Sequence, residues 1–256
     1  MIRSLAKAIE ALELFSIERP AWSLGELADA TGYPKTTLRT ILATLEEFGY
    51  VTRIGTQYAL GSATIGLSQS AWVNVEIRDR AAPDLRRLAD RVGESVYLTV
   101  PEGYRILYIY AIESPHRLEA RSAIGDHAYF HSTSVGKALL AFMPEQERSR
   151  ILDHTGLPRR TENTITERDA LERELALTRE RGYAVDNVEG VPDTYCLGAP
   201  LYAAGGAIVA SCSISGNTPA ILDERRAELV AELLSAADSI SKRLGYVPVR
   251  SRMAPV

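Results

Sequence analysis

The spacing of apolar positions changes several times along the chain, and each change marks an element. Residues 4–18 place Leu5, Ala8, Ile9, Leu12 and Phe15 three and four apart, an amphipathic helix. Pro20 and Trp22 form a connection, with Trp22 expected to pack as a staple. Leu24, Leu27 and Ala28 repeat the helical spacing. Ser23 precedes them with Glu26 three residues on, the pair that closes a capping box, and Thr31-Gly32-Tyr33 stops this second helix. Pro34 opens a third helix at a first-turn position, where its missing N–H costs nothing; Leu38, Ile41, Leu42 and Leu45 are its stripe. Two short β pieces follow, Tyr50 to Arg53 and Gln57 to Leu60, around Ile54-Gly55-Thr56. A helix–turn–helix followed by a hairpin is a winged helix.

Gly61 to Val75 reads as a linker helix with Ile65, Leu67, Trp72 and Val73 on its apolar side. Glu76 to Val92 reads as another helix, bent by Pro83 or starting near it. Beyond Gly93 the chain becomes strand-rich. Ser95–Val100 and Arg105–Ile112 read as neighbouring strands, and Arg117–Ile124 as a third. Ser134–Phe142, Pro144–Leu152 and Glu167–Arg181 read as helices, with a polar loop from Asp153 to Thr166. Tyr183–Val188, Tyr195–Ala203 and Ala207–Gly216 read as three more strands, and Leu222–Leu244 as a long closing helix. Short turns between strands imply antiparallel pairing. The expected fold is α+β: an N-terminal winged helix–turn–helix over residues 1–61, a linker helix over 62–75, and an antiparallel-sheet domain over 76–250 that cups a small molecule.

Composition narrows the class. The 256 residues are 46% apolar and 24% charged, as in a soluble globular protein. No stretch is apolar and uncharged for long enough to predict a membrane span. Two cysteines suit a reducing cytosol better than a disulfide framework. Charge opposes a simple nucleic-acid reading. The chain carries −4, and residues 1–60 hold six basic groups against seven acids. DNA contact must therefore come from where the cations sit, and several DNA-binding heads are expected to act together.

The candidate chemistry follows from position. Lys35, Thr36, Thr37, Arg39 and Thr40 lie mostly off the apolar stripe at the start of the third helix, where a helix–turn–helix meets the major groove. Arginine offers a fork to guanine and threonine a methyl to thymine; Lys35 suits phosphate, and Arg53 on the wing suits phosphate or the minor groove. The competing reading is a solvated helix face. In the second domain, Ser134 and Val135 open a helix whose first N–H groups suit an anion, or form only a plain cap. Ser211, Ser213 and Ser215 alternate with Cys212 and Ile214, which puts three hydroxyls on one sheet face. Arg121 is placed to pair with an acidic effector, or to sit on the surface. No metal-ligand spacing and no cofactor motif appears.

Taken in order, ATGYPKTTLRTILATLEEFGYV, YALG, GESVYL, HSTSVGKALLA, RERGYAVDNVEGVPDTYCLGAPLY and IVASCSISG resemble the IclR family of bacterial transcriptional regulators over nearly the whole chain. The resemblance implies a GAF-like effector-binding second domain and dimers or tetramers on pseudo-palindromic double-stranded operators. It also implies that Ser134, Val135, Asp186, Cys196, Ser213 and Ser215 match effector-pocket positions. Tyr33 stands where the family commonly has Leu, and Val191–Tyr195 departs from the usual Gly-rich run. The expected function is a cytoplasmic, ligand-responsive regulator of catabolic or metabolic genes, with a small carboxylic acid as effector. The alternatives are an enzyme with a winged-helix appendage, with Cys196 and His131 the one pair worth testing, and a structural DNA-bending protein.

Overall fold

The structure, a computed structural model, describes residues 1–16, 19–70, 75–114 and 124–247. Contacts divide the chain into two units, Met1–Val73 and Asn74–Val256.

In the first unit, α1 (Arg3–Leu12) precedes β1 (Ala21–Ser23), α2 (Leu24–Thr31), α3 (Lys35–Glu47), β2 (Val51–Ile54), β3 (Gln57–Leu60) and α4 (Ser62–Ser70). Helix α1 ends earlier than its apolar spacing predicts. The Trp22 indole N–H donates to the Leu14 carbonyl at 3.0 Å, so the chain turns there instead of continuing as helix. Its stripe also divides: Ala11 and Phe15 are buried, while Leu5 and Ile9 stay exposed. The expected connection around Trp22 is a third strand, added to the wing in the order β1-β3-β2 with Trp22 opposite Tyr58. Trp22, Leu27, Leu38, Leu42, Val51 and Tyr58 share one small core. The capping box forms, since Glu26 N–H donates to Ser23 Oγ and Ser23 N–H to a Glu26 carboxylate oxygen. Pro34 caps α3 from just outside the helix and does not occupy its first turn.

The second unit holds α5 (Val75–Val92), β4 (Ser95–Glu102), β5 (Arg105–Ile112), β6 (His127–Ala128), α6 (Ser134–Phe142), α7 (Glu145–Thr155), α8 (Arg168–Arg181), β7 (Ala184–Asn187), β8 (Tyr195–Tyr202), β9 (Ile208–Gly216) and α9 (Arg226–Arg243). The strands form one antiparallel sheet in the order β6-β5-β4-β9-β8-β7. Pro83 lies inside α5 and does not start it. Helix α9 begins later than expected, at Arg226, and a separate 3-10 turn over Pro219–Ile221 precedes it. Most of the expected strand Arg117–Ile124, and Trp72 and Val73 of the linker, fall outside the described residues.

The sheet is covered on both faces. One face carries Val96, Leu98, Leu197, Ala199, Cys212 and Ile214 into a core with Leu85, Leu88, Leu229 and Leu233 of α5 and α9. On the other, Val135, Leu139 and Leu140 of α6 pack with Leu171 and Leu175 of α8. Strand alternation therefore sends every second residue of β4, β8 and β9 toward α6.

Candidate functional site

On the first unit, α3 buries Leu38 and Leu42 and leaves Lys35, Thr36, Arg39 and Thr40 exposed, with Thr37 half-buried. Thr40 donates its hydroxyl to the Thr36 carbonyl at 3.2 Å, which leaves its hydroxyl oxygen as an acceptor. On the wing, Arg53 donates to the Tyr58 hydroxyl at 2.6 Å and leans over the same ring. Two acids of this unit are engaged by other side chains and backbone. The Tyr33 hydroxyl donates to Glu10. Glu26 sits in the capping box and accepts from Arg19, and the Ser23 backbone N–H holds its carboxyl below the usual range.

On the second unit, six of the seven predicted effector residues come together. Ser134, Val135, Asp186, Cys196, Ser213 and Ser215 line one cavity of about 40 Å³, with Tyr97, Tyr108, Thr133, Gly190, Val191 and Thr194 completing its wall. Arg121 falls outside the described residues. Register explains the assembly. Asp186, Cys196 and Ser215 stand side by side across β7, β8 and β9, and Gly198, Ser213 and Tyr97 across β8, β9 and β4. Ser211, on the same face, is taken up structurally: it donates to the Val135 carbonyl at 3.0 Å and meets the Thr99 hydroxyl at 2.8 Å.

Helix α6 enters this cup because of Gly198. A Cβ there would lie 2.6 Å from the Ser134 backbone and 2.9 Å from the Val135 nitrogen, so only glycine lets the first helical turn rest on the sheet. Thr133 caps the helix by accepting from the Gly136 N–H at 3.1 Å. The N–H groups of Ser134 and Val135 precede any helical partner, and no protein acceptor reaches them among the described residues. They line the cavity, with the positive end of the helix dipole behind them.

Beside them lies a buried charge cluster that the sequence signals only faintly. Lys137 is fully buried, and its ammonium donates to both Glu189 oxygens at 2.6 Å. Asp186 accepts from the Glu189 N–H at 2.7 Å. One cation and two carboxyls share a buried site, so a proton on one carboxyl leaves it neutral. Asp186 is the better holder: burial, then the Glu189 charge, push it up to about 7 against the pull of Lys137. Burial also raises Glu189, but Lys137 opposes this directly. The missed residue Glu189 had one sequence signal, since a lysine inside the apolar run GKALLA requires a buried acid. The loop from β7 to β8 that carries Glu189 holds Val188 at φ 59°, left-handed backbone that a β-branched residue rarely adopts.

The enzymatic pair is not assembled. Cys196 Sγ donates to Ser215 Oγ, whereas His131 Nε2 meets the Pro158 carbonyl and its Nδ1 is buried without a partner. Burial lowers the His131 pKa. Cys212 points into the core on the far face, where burial pushes its thiol up to about 12.

A winged helix joined to a domain with a polar-lined cavity is the build of a transcriptional regulator that answers to a small molecule. The family models described as IclR helix-turn-helix domain and Bacterial transcriptional regulator IclR C-terminal match residues 4–55 and 69–242. The chain belongs to the IclR family: it is a DNA-binding regulator and not an enzyme. Among relatives, the HTH-type transcriptional regulator KdgR of Escherichia coli is 33% identical over 96% of this chain and 94% of its own. The crystal structure of the Thermotoga maritima IclR superposes with a TM-score of 0.83 at 33% identity, covering 96% of this chain and all of that one. An IclR homolog from Microbacterium hydrocarbonoxydans, complexed with 4-hydroxybenzoate, shares the fold at TM-score 0.82 and 23% identity, over 94% of this chain and 99% of its own.

Proposed function

We propose that the effector is a small carboxylic acid whose carboxylate sits against the Ser134 and Val135 N–H groups. Ser213, Ser215 and Cys196 line the rest of its site, and Asp186 faces it in the protonated form. The observation that carries this reading is the open first turn of α6 at the cavity wall: two donors without an acceptor among the described residues, and a favourable dipole. Asp186 would repel an anion if ionised, and the charge balance with Lys137 and Glu189 favours its proton. A protein of this fold holds 4-hydroxybenzoate, an acid of the expected class.

At the other end, residues 1–61 are the reading head and 62–75 the linker to the effector domain over 76–250. Lys35, Thr36, Thr37, Arg39, Thr40 and Arg53 contact duplex DNA at a pseudo-palindromic operator of catabolic or metabolic genes in the cytoplasm. The working form is a homodimer or homotetramer. Exposed Leu5 and Ile9 of α1 and Ile65 and Leu67 of α4 support this, because a lone chain leaves them in water. The head has too few free cations to bind tightly alone.

A thermal-shift screen of the full chain with small organic acids tests the effector reading, since a bound ligand raises apparent stability by RT ln(1 + [L]/Kd). Hits are carried to an operator selected from a random duplex library. Ser213→Ala or Ser134→Ala is expected to blunt the ligand response and spare operator binding without ligand. Retention of the full response by both variants would overturn the site.

A further inference from the structure

A second, larger cavity adjoins the first. Its volume is about 240 Å³, and Tyr108, Thr133, Gly190 and Val191 belong to the walls of both. Its other walls hold two guanidinium groups, Arg105 and Arg160. Arg105 lies over the Tyr129 ring with its guanidinium carbon 3.2 Å from the ring centroid. Stacking of that kind fixes the plane of the group and leaves its edge N–H donors available. Arg160 is exposed.

These two cations lack a carboxylate partner that many arginines of the domain have. Arg148, Arg168, Arg181 and Arg225 each meet a carboxylate within 4.0 Å. Among the described residues, neither Arg105 nor Arg160 does. The nearby Glu102 is engaged by His127. Asp126, a carboxylate in the wall, pairs with neither arginine. The excess of positive charge is felt inside the protein: after burial and its Pro158 contact, the charges of Lys137, Arg105 and Arg160 disfavour protonation of His131. A pair of unpaired guanidiniums beside a cavity is a site for a carboxylate or phosphate.

The geometry points to an effector with two anionic groups: one at the first turn of α6, and a second, a carboxylate or a phosphate, held in the adjoining cavity by Arg105 and Arg160. This rests on the inner-cavity reading above and names the class of molecule that fills both. Tyr108, Thr133, Gly190 and Val191 would then flank the middle of the ligand.

The test is calorimetric titration of the full-length protein with matched probes. Butanoate and hexanoate are set against succinate, glutarate and adipate, and glycerate against 3-phosphoglycerate. A dianion of suitable length is expected to bind roughly tenfold or more tightly than its matched monoanion, as charged hydrogen bonds add. Whether the dicarboxylates or the phosphorylated acid gain more identifies the second group. Arg160→Gln, at an exposed position that does not threaten folding, and Arg105→Gln are each expected to bring the dianion-to-monoanion ratio toward one. Arg105→Lys is expected to restore part of it. Monoanions that bind as tightly as dianions, or a ratio unmoved by both Gln variants, would overturn the second subsite. In that case Ser213→Ala still decides the inner one, because loss of monoanion binding there keeps the first reading alone. If no probe binds, both readings fall.

Discussion

In the proposed reading, single residues carry the discriminating chemistry of both the reading head and the effector domain. Arg39 stands exposed on the outer face of α3, and Arg39→Ala is expected to weaken binding to the selected operator by roughly 1–3 kcal/mol. An anisotropy titration checks this, and unchanged affinity would remove Arg39 from the readers. Asp186 makes a prediction in pH. Its proton is present below about 7 and lost above it. Effector affinity is therefore expected to fall as pH rises through 7, and Asp186→Asn to flatten that dependence. For stability the sign is also fixed. Between the ordinary aspartate range and about 7 the folded protein binds the extra proton and the unfolded chain does not, so this group lowers stability as pH rises across that window. At this scale the sequence was uneven. Alternation put Ser213 and Ser215 on the face that lines the cavity, and a helix start put Ser134 at its wall. It did not separate Ser211, whose hydroxyl is consumed by the Val135 carbonyl, because that depends on how closely α6 approaches.

Among elements, α6 is held closely by two contacts: Gly198 beneath its first turn, and the pairing of its own Lys137 with Glu189. Replacing Lys137 by Met leaves Glu189 buried without its cation. Chemical denaturation is expected to show a loss of roughly 3–5 kcal/mol, and Lys137→Met with Glu189→Leu a smaller one. Equal losses would mean that the lysine matters for packing alone. In the reading head, Ser23→Ala removes a cap and is expected to cost about 1 kcal/mol. Elements with strong local signals were legible: the capping box, the wing and the alternating strands each follow from a few neighbouring residues. Strand β1 was not, since Ala21–Ser23 is strand only through pairing with Gln57–Ala59, far along the chain. The Gly198 contact was equally silent, because a glycine in a strand does not say what lies above it.

For the whole molecule, modest basic charge and uncovered apolar helix faces both support the proposal that reading heads work in numbers. Leu67→Asp is expected to shift the assembly toward smaller species in sedimentation, and to flatten and weaken operator binding together. Unchanged sedimentation would remove α4 from the interface. Charge composition raises this expectation, while the local compensation of Glu10 and Glu26 by Tyr33, Ser23 and Arg19 becomes visible only in three dimensions.

The left-handed backbone at Val188 has a further consequence for tuning. Its N–H donates to the Thr194 carbonyl, and its own carbonyl accepts from Thr161. These bonds hold an uncomfortable backbone that costs of order 1–3 kcal/mol. The segment runs on into Gly190 and Val191 of the cavity wall, so strain set by one side chain outside that wall is stored next to it. Val188→Gly would relieve that strain and raise the melting temperature. In a lineage of such regulators, drift at this single position could reset the concentration at which the switch trips while leaving every recognition surface intact.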